Sequence, residues 1–218
     1  IVKQEYGLDL LYLKHFIDTS CSRQLKNYLL EALPWYRVTY TSMGMEHHTP
    51  RWTTVFGKDS TSTPWHGYDK ARPRAIPEIL LRLMRQVEEV TGETYNFALV
   101  NYYATGSDSI SYHSDSESFL GKNPCIASIS LGGSRGFLMR HINYKNTAQH
   151  EKFLLEDGDM VVMRGQTQHQ WQHSIPKRKS AEGRINITFR KGVVKYATQN
   201  YNQYNVGKGP MYRWESGQ

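Results

Sequence analysis

Two cysteines in 218 residues, Cys21 and Cys125, are too few for a disulfide scaffold or a thiolate zinc site. A reducing compartment suits such a chain, and the expected location is nuclear, cytoplasmic or both. No apolar run approaches the ~18–20 residues of a membrane-crossing helix, so no membrane partner is expected. No signal peptide is visible. Residue 1 is Ile rather than Met, so the chain reads as trimmed, and any targeting segment would have gone with the missing N-terminus. Nucleophile-elbow, P-loop and Rossmann glycine patterns are missing, which leaves hydrolase, NTPase and dehydrogenase readings without support. Internal repeats and low-complexity blocks are missing too. Acid is the scarcer charge: 20 Asp and Glu against 27 Lys and Arg leave a formal +7. Such a surplus bears on partners, phosphate-bearing ones first, and not on fold.

What is present argues against disorder. Hydrophobic residues make up 39% of the chain, with 15 Tyr and 5 Trp. A chain of this length buries roughly 70–75% of its unfolded surface as one large domain. Asp18-Thr19-Ser20 reads as a helix start, followed by Leu25, Tyr28, Leu29, Ala32 and Leu33 at helical spacing, with Pro34 as the stop. Residues 35–41 read as a strand, 43–50 as a loop, 51–56 as a short strand and 57–74 as a long irregular loop. Pro77 opens a second helix in its first turn. Its expected buried face is Ile79, Leu80, Leu83, Met84, Val87 and Val90, and Gly92 closes it.

Residues 96–103, 125–131, 137–142, 152–155, 160–164, 169–173 and 184–190 then read as successive strands joined by turns such as Asp157-Gly158. The expected class is α+β: a jelly-roll core with two N-terminal helices packed on one sheet. Residues 1–95 would supply helices, strands and substrate-recognition loops, 96–195 the catalytic core and 196–218 a tyrosine-rich tail, all in one compact domain expected to be monomeric.

His113-Ser114-Asp115 is an H-x-D at the end of a loop, and weak by itself. His173, 58 positions beyond Asp115 on another expected strand, makes it informative. Two imidazoles and a carboxylate on one face leave three adjacent metal positions open, the facial triad of non-haem Fe(II) oxygenases. A zinc hydrolase would use a related set, usually with a separate general base. His169, four residues earlier, competes for the third position.

Residues 184–190, Arg-Ile-Asn-Ile-Thr-Phe-Arg, carry the strongest physical signal. With period two, Arg184, Asn186, Thr188 and Arg190 share one face while Ile185, Ile187 and Phe189 share the other. Two arginines inside a small barrel need anions, and a dicarboxylate held along that face would satisfy both. Asn101 and Tyr103, alternating with Val100 and Tyr102, would complete a polar pocket beside the metal.

Together, Asn101-x-Tyr103, His113-x-Asp115, His173 within Trp-Gln-His-Ser-Ile-Pro, and Arg184-x-Asn186-x-Thr188-x-Arg190 resemble the AlkB-type Fe(II)/2-oxoglutarate dioxygenases. The similarity runs from about residue 50 to 190. The stretches 91–97 and 126–132 resemble the eukaryotic nucleic-acid repair members. The resemblance implies a double-stranded β-helix with Fe(II) held by His113, Asp115 and His173. It implies 2-oxoglutarate bound through Arg184 with support from Arg190, Asn101 and Tyr103, and O2 as the oxidant. The implied reaction is oxidative demethylation of N-alkylated bases in DNA or RNA, releasing formaldehyde, succinate and CO2.

A methylated base would have to be flipped or single-stranded to reach the metal. By the same resemblance, Trp65 and His66 would stack on it, and Arg51 and Glu117 would contact it. Independently, basic residues cluster past the third ligand, and Lys177, Arg178 and Lys179 there are placed to meet phosphates. Ser116 and Trp65-His66 depart from the repair pattern, on the substrate side rather than the metal side. Two other readings stay open: a 2-oxoglutarate oxygenase acting on a protein or small molecule, and a non-catalytic jelly-roll module that binds nucleic acid. The intact set of ligands and arginines weighs against the second.

Overall fold

Among the described residues, period-two alternation sorts the side chains into two large cores and one small cluster of Val55, Phe97 and Leu99. The computed structural model describes residues 2–57, 74–117 and 120–193. Trp65, His66, most of the expected long loop and the tail from 196 lie outside the described residues. In chain order the elements are β1 (Val2–Glu5), β2 (Leu8–Leu13), α1 (Thr19–Ala32), β3 (Thr39–Ser42), β4 (Met45–His48), β5 (Trp52–Gly57), β6 (Arg74–Ala75), α2 (Glu78–Thr91), β7 (Phe97–Tyr103), β8 (Ile110–His113) and β9 (Ile126–Gly132). There follow β10 (Arg135–His141), α3 (Tyr144–Thr147), β11 (His150–Leu155), β12 (Met160–Arg164), α4 (Thr167–Gln170), β13 (Trp171–Ile175) and β14 (Arg184–Arg190). The larger sheet runs β1-β2-β12-β9-β14-β7-β5-β6, the smaller β11-β10-β13-β8, and β3 and β4 form a separate hairpin.

One core lies between the sheets, where Leu8, Leu10, Ile126 and Val161 of the larger meet Phe137, Met139, Trp171 and Ile175 of the smaller. The other lies on the outer side of the larger sheet. There Ile185, Ile187 and Phe189 of β14 and Met160 and Val162 of β12 share a cluster with Leu29 of α1 and Leu80, Met84 and Val87 of α2.

Local chemistry sets the helix ends. Asp18 caps α1, accepting from the backbone N–H groups of Ser20 and Cys21 at 2.9 and 3.0 Å. Pro77 sits at the N-cap of α2, one position outside the helix, and Gly92 ends that helix with φ +70°. Both buried stripes are narrower than helical spacing suggested: Tyr28 is exposed in α1, as are Ile79 and Val90 in α2.

The structure adds one strand to those expected and corrects three further expectations. Residues 8–13 form a central-sheet strand that pairs with β12, so the N-terminal segment belongs to the same sheet as the core. The expected strand at 35–41 is an isolated bridge, Tyr36 to Thr53, followed by β3. The expected loop at 43–50 is mostly hairpin, turning at Met43 and Gly44, both with positive φ. Residue 169 lies in α4, and β13 starts only at Trp171.

Gly158 in the Asp-Gly turn has φ +80°, and an added Cβ would lie 2.0 Å from the Ile17 carbonyl oxygen. That contact is backbone, and Ile17 N–H already donates to Gly158 O at 3.0 Å, so neither side can yield. Gly158→Ala is expected to cost about 2–5 kcal/mol, the left-handed penalty plus overpacking. A urea midpoint equal to that of the parent protein would contradict this.

Candidate metal centre and co-substrate pocket

Between the two sheets lies a cavity of about 130 Å³, lined by β7 and β14 on one wall and by β8, β10 and β13 on the other. On the second wall His113 stands opposite His173 in the ladder, and Ile110 opposite Ile175, with a register shift between the pairs. The extra residue of that bulge lets Ile110 and His113, three apart, both line the cavity. Asp115 follows in the next loop. Two bonds fix that loop: Ser114 Oγ donates to Trp171 O, and Asp115 N–H donates to the buried Gln168 Oε1, both at 2.8 Å.

The donor atoms converge. One Asp115 oxygen lies 3.6 Å from His113 Nε2 and the other 3.9 Å from His173 Nε2, and the set falls within 4.8 Å. His113 Nδ1 lies 2.8 Å from Ser111 O. A carbonyl can only accept, so Nδ1 carries the proton and the Nε2 lone pair faces its neighbours. Burial first, then His113 and Arg190, push the His173 pKa down to about 3, so its ring is neutral and able to ligate. Burial would raise the Asp115 pKa, but Arg190, His173 and His113 overcome it and hold the carboxyl below its ordinary range. Arg190 Nη2 is 3.0 Å from Asp115, and its Nη1 is 3.3 Å from Glu117. Two imidazoles and an ionised carboxylate, converging on one point, are the donor set a divalent cation needs.

The facing wall is the polar side of β14. Arg184 lies opposite Tyr103 of β7 and Gly132 of β9, and Asn186 lies between Asn101 and Ser130. Asn186 Nδ2 donates to Ser128 Oγ at 2.7 Å, and Thr53 donates to Asn101 Oδ1 at 2.9 Å. Arg184 is 1% exposed, yet among the described residues only its Nη2 finds a hydrogen-bond partner, Ser130 Oγ at 2.9 Å, while Nε and Nη1 have none. Burial lowers its pKa to about 10, which still leaves it charged. A buried guanidinium with two idle donors and, among the described residues, no carboxylate against it calls for an anion.

A model of the 2OG-Fe(II) oxygenase superfamily matches residues 9–190. The chain belongs to that superfamily. Bovine alpha-ketoglutarate-dependent dioxygenase alkB homolog 3 is 35% identical over 185 residues, covering 80% of this chain and 63% of the relative. The Arabidopsis thaliana DNA oxidative demethylase ALKBH2 is 32% identical over 212 residues, with 85% and 67% covered. The chain thus spans about two thirds of the length of these relatives. A structure described as that of OsALKBH1 superposes with a TM-score of 0.62 at 20% identity, over 87% of this chain and all of the other. That likeness speaks for the fold.

For a superfamily member, His113, Asp115 and His173 are the iron site, and Fe(II), 2-oxoglutarate and O2 are what its chemistry requires. The residues fit: the triad presents its donors at one wall, and the idle Arg184 fork waits at the other. His169 is exposed on α4, where Asn123 N–H points to its Nε2 at 3.5 Å, and it takes no part.

Arg51, Asn101, Tyr103, Glu117, Thr188 and Arg190 all line the same cavity. Lys177, Arg178 and Lys179 are exposed in the β13–β14 connection, away from the cavity lining. Among the described residues, sequence reasoning passed over Ser128, Ser130, Gln168, Arg135 and Arg140. Ser128 and Ser130 were open to it, since they alternate with Ala127 and Ile129 on a strand facing β14. Arg135, fully buried, gives Nη2 to the carbonyls of Asp108 and Pro176 at 2.6 and 2.7 Å, partners no spacing rule could foresee.

Proposed function

We propose that this protein is an Fe(II)- and 2-oxoglutarate-dependent oxidative demethylase of N-alkylated bases in nucleic acid, built on a double-stranded β-helix. The observation that carries the reading is that the metal donors and a buried, half-idle arginine face each other across one cavity. Two curated relatives at 32–35% identity bear the names of a DNA oxidative demethylase and an alkB homolog, which supports a nucleic-acid substrate. The exposed Lys177-Arg178-Lys179 run supports it as well, since phosphate contacts of that kind set register on a strand.

When bound, iron with O2 and 2-oxoglutarate supplies the oxidising power for hydroxylating an N-methyl group, whose carbinolamine product sheds formaldehyde. The chain supplies position and charge. Ser111 O fixes the His113 tautomer, and Arg190 keeps Asp115 ionised. Arg184, held by Ser130 and lying beside the Tyr103 ring, offers Nε and Nη1 to the distal carboxylate of 2-oxoglutarate. Asn101 and Asn186 shape the floor. Glu117, on the same loop as Asp115, faces the cavity with an acceptor suited to a base amino group, and Arg51 lines it beside them.

A panel of N-methylated DNA and RNA oligonucleotides, incubated with Fe(II), ascorbate and 2-oxoglutarate beside a His173→Ala control, tests this by mass spectrometry. Methyl loss that requires 2-oxoglutarate and disappears in the control is the expected result. Succinate without any change in the oligonucleotides would sink the substrate assignment and leave the iron site standing. Neither product, from folded and metal-loaded protein, would favour a binding module instead.

A further inference from the structure

His113, an iron ligand, sits at the end of a strand poorly suited to hold it. β8 has four residues, lies at the edge of the smaller sheet, and pairs with β13 through two register positions with a bulge between them. An edge strand has a ladder on one side only, and a bulge disrupts even that. Yet a metal ligand must stay within about 0.5 Å of its working position.

The outer face of the sheet supplies what the ladder lacks. Arg140 of β10 reaches across β13, so that its guanidinium carbon lies 4.0 Å from the centre of the Tyr112 ring on β8. The same carbon lies 4.3 Å from the centre of the Tyr144 ring on α3. Between these rings Arg140 Nε donates to Gln172 Oε1 on β13 at 2.9 Å. Tyr144 in turn meets the His150 ring of β11 edge-on, at 5.7 Å. The Arg140 side chain therefore ties β10 to β13 and β8, and reaches β11 through Tyr144.

The row is the back of the metal site. Neighbouring residues of a strand point to opposite faces, so Tyr112 and Gln172 face out where His113 and His173 face in. Arg140 itself follows Met139, which stands opposite His173 in the ladder. A planar guanidinium suits this place, because it stacks on both rings while its Nε still donates in plane.

We infer that Arg140 is a positioning residue for iron, clamping Tyr112 so that His113 keeps its spacing from His173 and Asp115. The inference rests on the iron site and not on the nucleic-acid substrate. The test is Co(II) binding, followed by visible absorption, together with the melting temperature of the metal-free protein. Arg140→Met and Tyr112→Leu should each weaken Co(II) binding about tenfold or more, the usual effect of losing a group that orients a ligand. Tyr112→Phe, which keeps the ring, should bind like the parent. So should Lys152→Met, an exposed residue on the same outer face that pairs with Leu138 and not with Arg140.

Parental affinity in both Arg140→Met and Tyr112→Leu would overturn the proposal, even with a lowered melting temperature, because the stack would then serve stability alone. If Arg140→Met does not fold, the comparison of Tyr112→Leu with Tyr112→Phe decides the matter from the other side of the stack. Failure of the parent protein to bind Co(II) would overturn the metal site itself and the proposal with it.

Discussion

Asp115→Ala and His173→Leu should both abolish iron binding and turnover, yet differ widely in the stability of the metal-free protein. Asp115 is the 3.0 Å counter-ion of Arg190, whose side chain is 4% exposed. Removing it strands a buried charge, which costs about 3–5 kcal/mol, towards the lower end because Glu117 stays 3.3 Å from the same guanidinium. The Asp115 pKa is depressed in the folded state, so its contribution is fully present at neutral pH and fades only as pH falls through that lowered value.

His173 behaves in the opposite sense. Its folded pKa of about 3 lies below the ordinary 6.5, so between these values the unfolded chain takes up a proton that the folded one refuses. The parent protein therefore loses stability as pH falls from 6.5 towards 3, at up to about 1.4 kcal/mol per pH unit from this group. His173→Leu fills a similar space beside the Phe137 ring and removes that loss. Urea unfolding of the metal-free proteins should find Asp115→Ala much weakened at pH 7.5, His173→Leu near the parent there, and His173→Leu ahead of the parent at pH 5. Equal losses in the two variants at pH 7.5 would contradict this account of the charges.

Arg184→Met should raise the KM for 2-oxoglutarate by about 10²–10⁴, read as succinate formation. The estimate follows from losing two charge-assisted hydrogen bonds worth about 1.5–3 kcal/mol each. In the metal-free protein the same change removes a buried cation whose contacts are one serine hydroxyl and the Tyr103 ring, so stability should hold or rise. Arg184→Lys should not rescue KM, because a point charge cannot reproduce the planar fork aimed from β14. A KM within about threefold of the parent would remove Arg184 from the co-substrate site.

How much of this was legible in the sequence differs sharply between the two walls. β14 was legible because it is a regular, doubly flanked strand: its two faces meet different surroundings, so the alternation of Arg184, Asn186, Thr188 and Arg190 with Ile and Phe is imposed by burial on both sides. β8 was not legible. Ser109-Ile110-Ser111-Tyr112-His113 is polar, short and bulged, and a bulge breaks the periodicity by which strands are recognised. β2 was missed for the reverse reason. Its residues Leu8, Leu10 and Tyr12 enter one core while Leu11 and Leu13 pack on the other, so a nearly continuous apolar run conceals the alternation. Gln168 could not be foreseen at all, since its bond to Asp115 N–H spans 53 positions.

The placement of the two walls has a consequence for how the site is assembled. β14 lies deep within an eight-stranded sheet with helices packed behind it, among the last segments to open in local unfolding. β8 lies on a margin, among the first. The wall carrying Arg184 is thus anchored by a neighbour on either flank, whereas the wall carrying His113 leans on a single bulged pairing and on the stack behind it. The two halves of the cavity therefore differ in tolerance: a substitution behind Arg184 must disturb a whole sheet to move it, whereas one beside His113 has a single edge to displace.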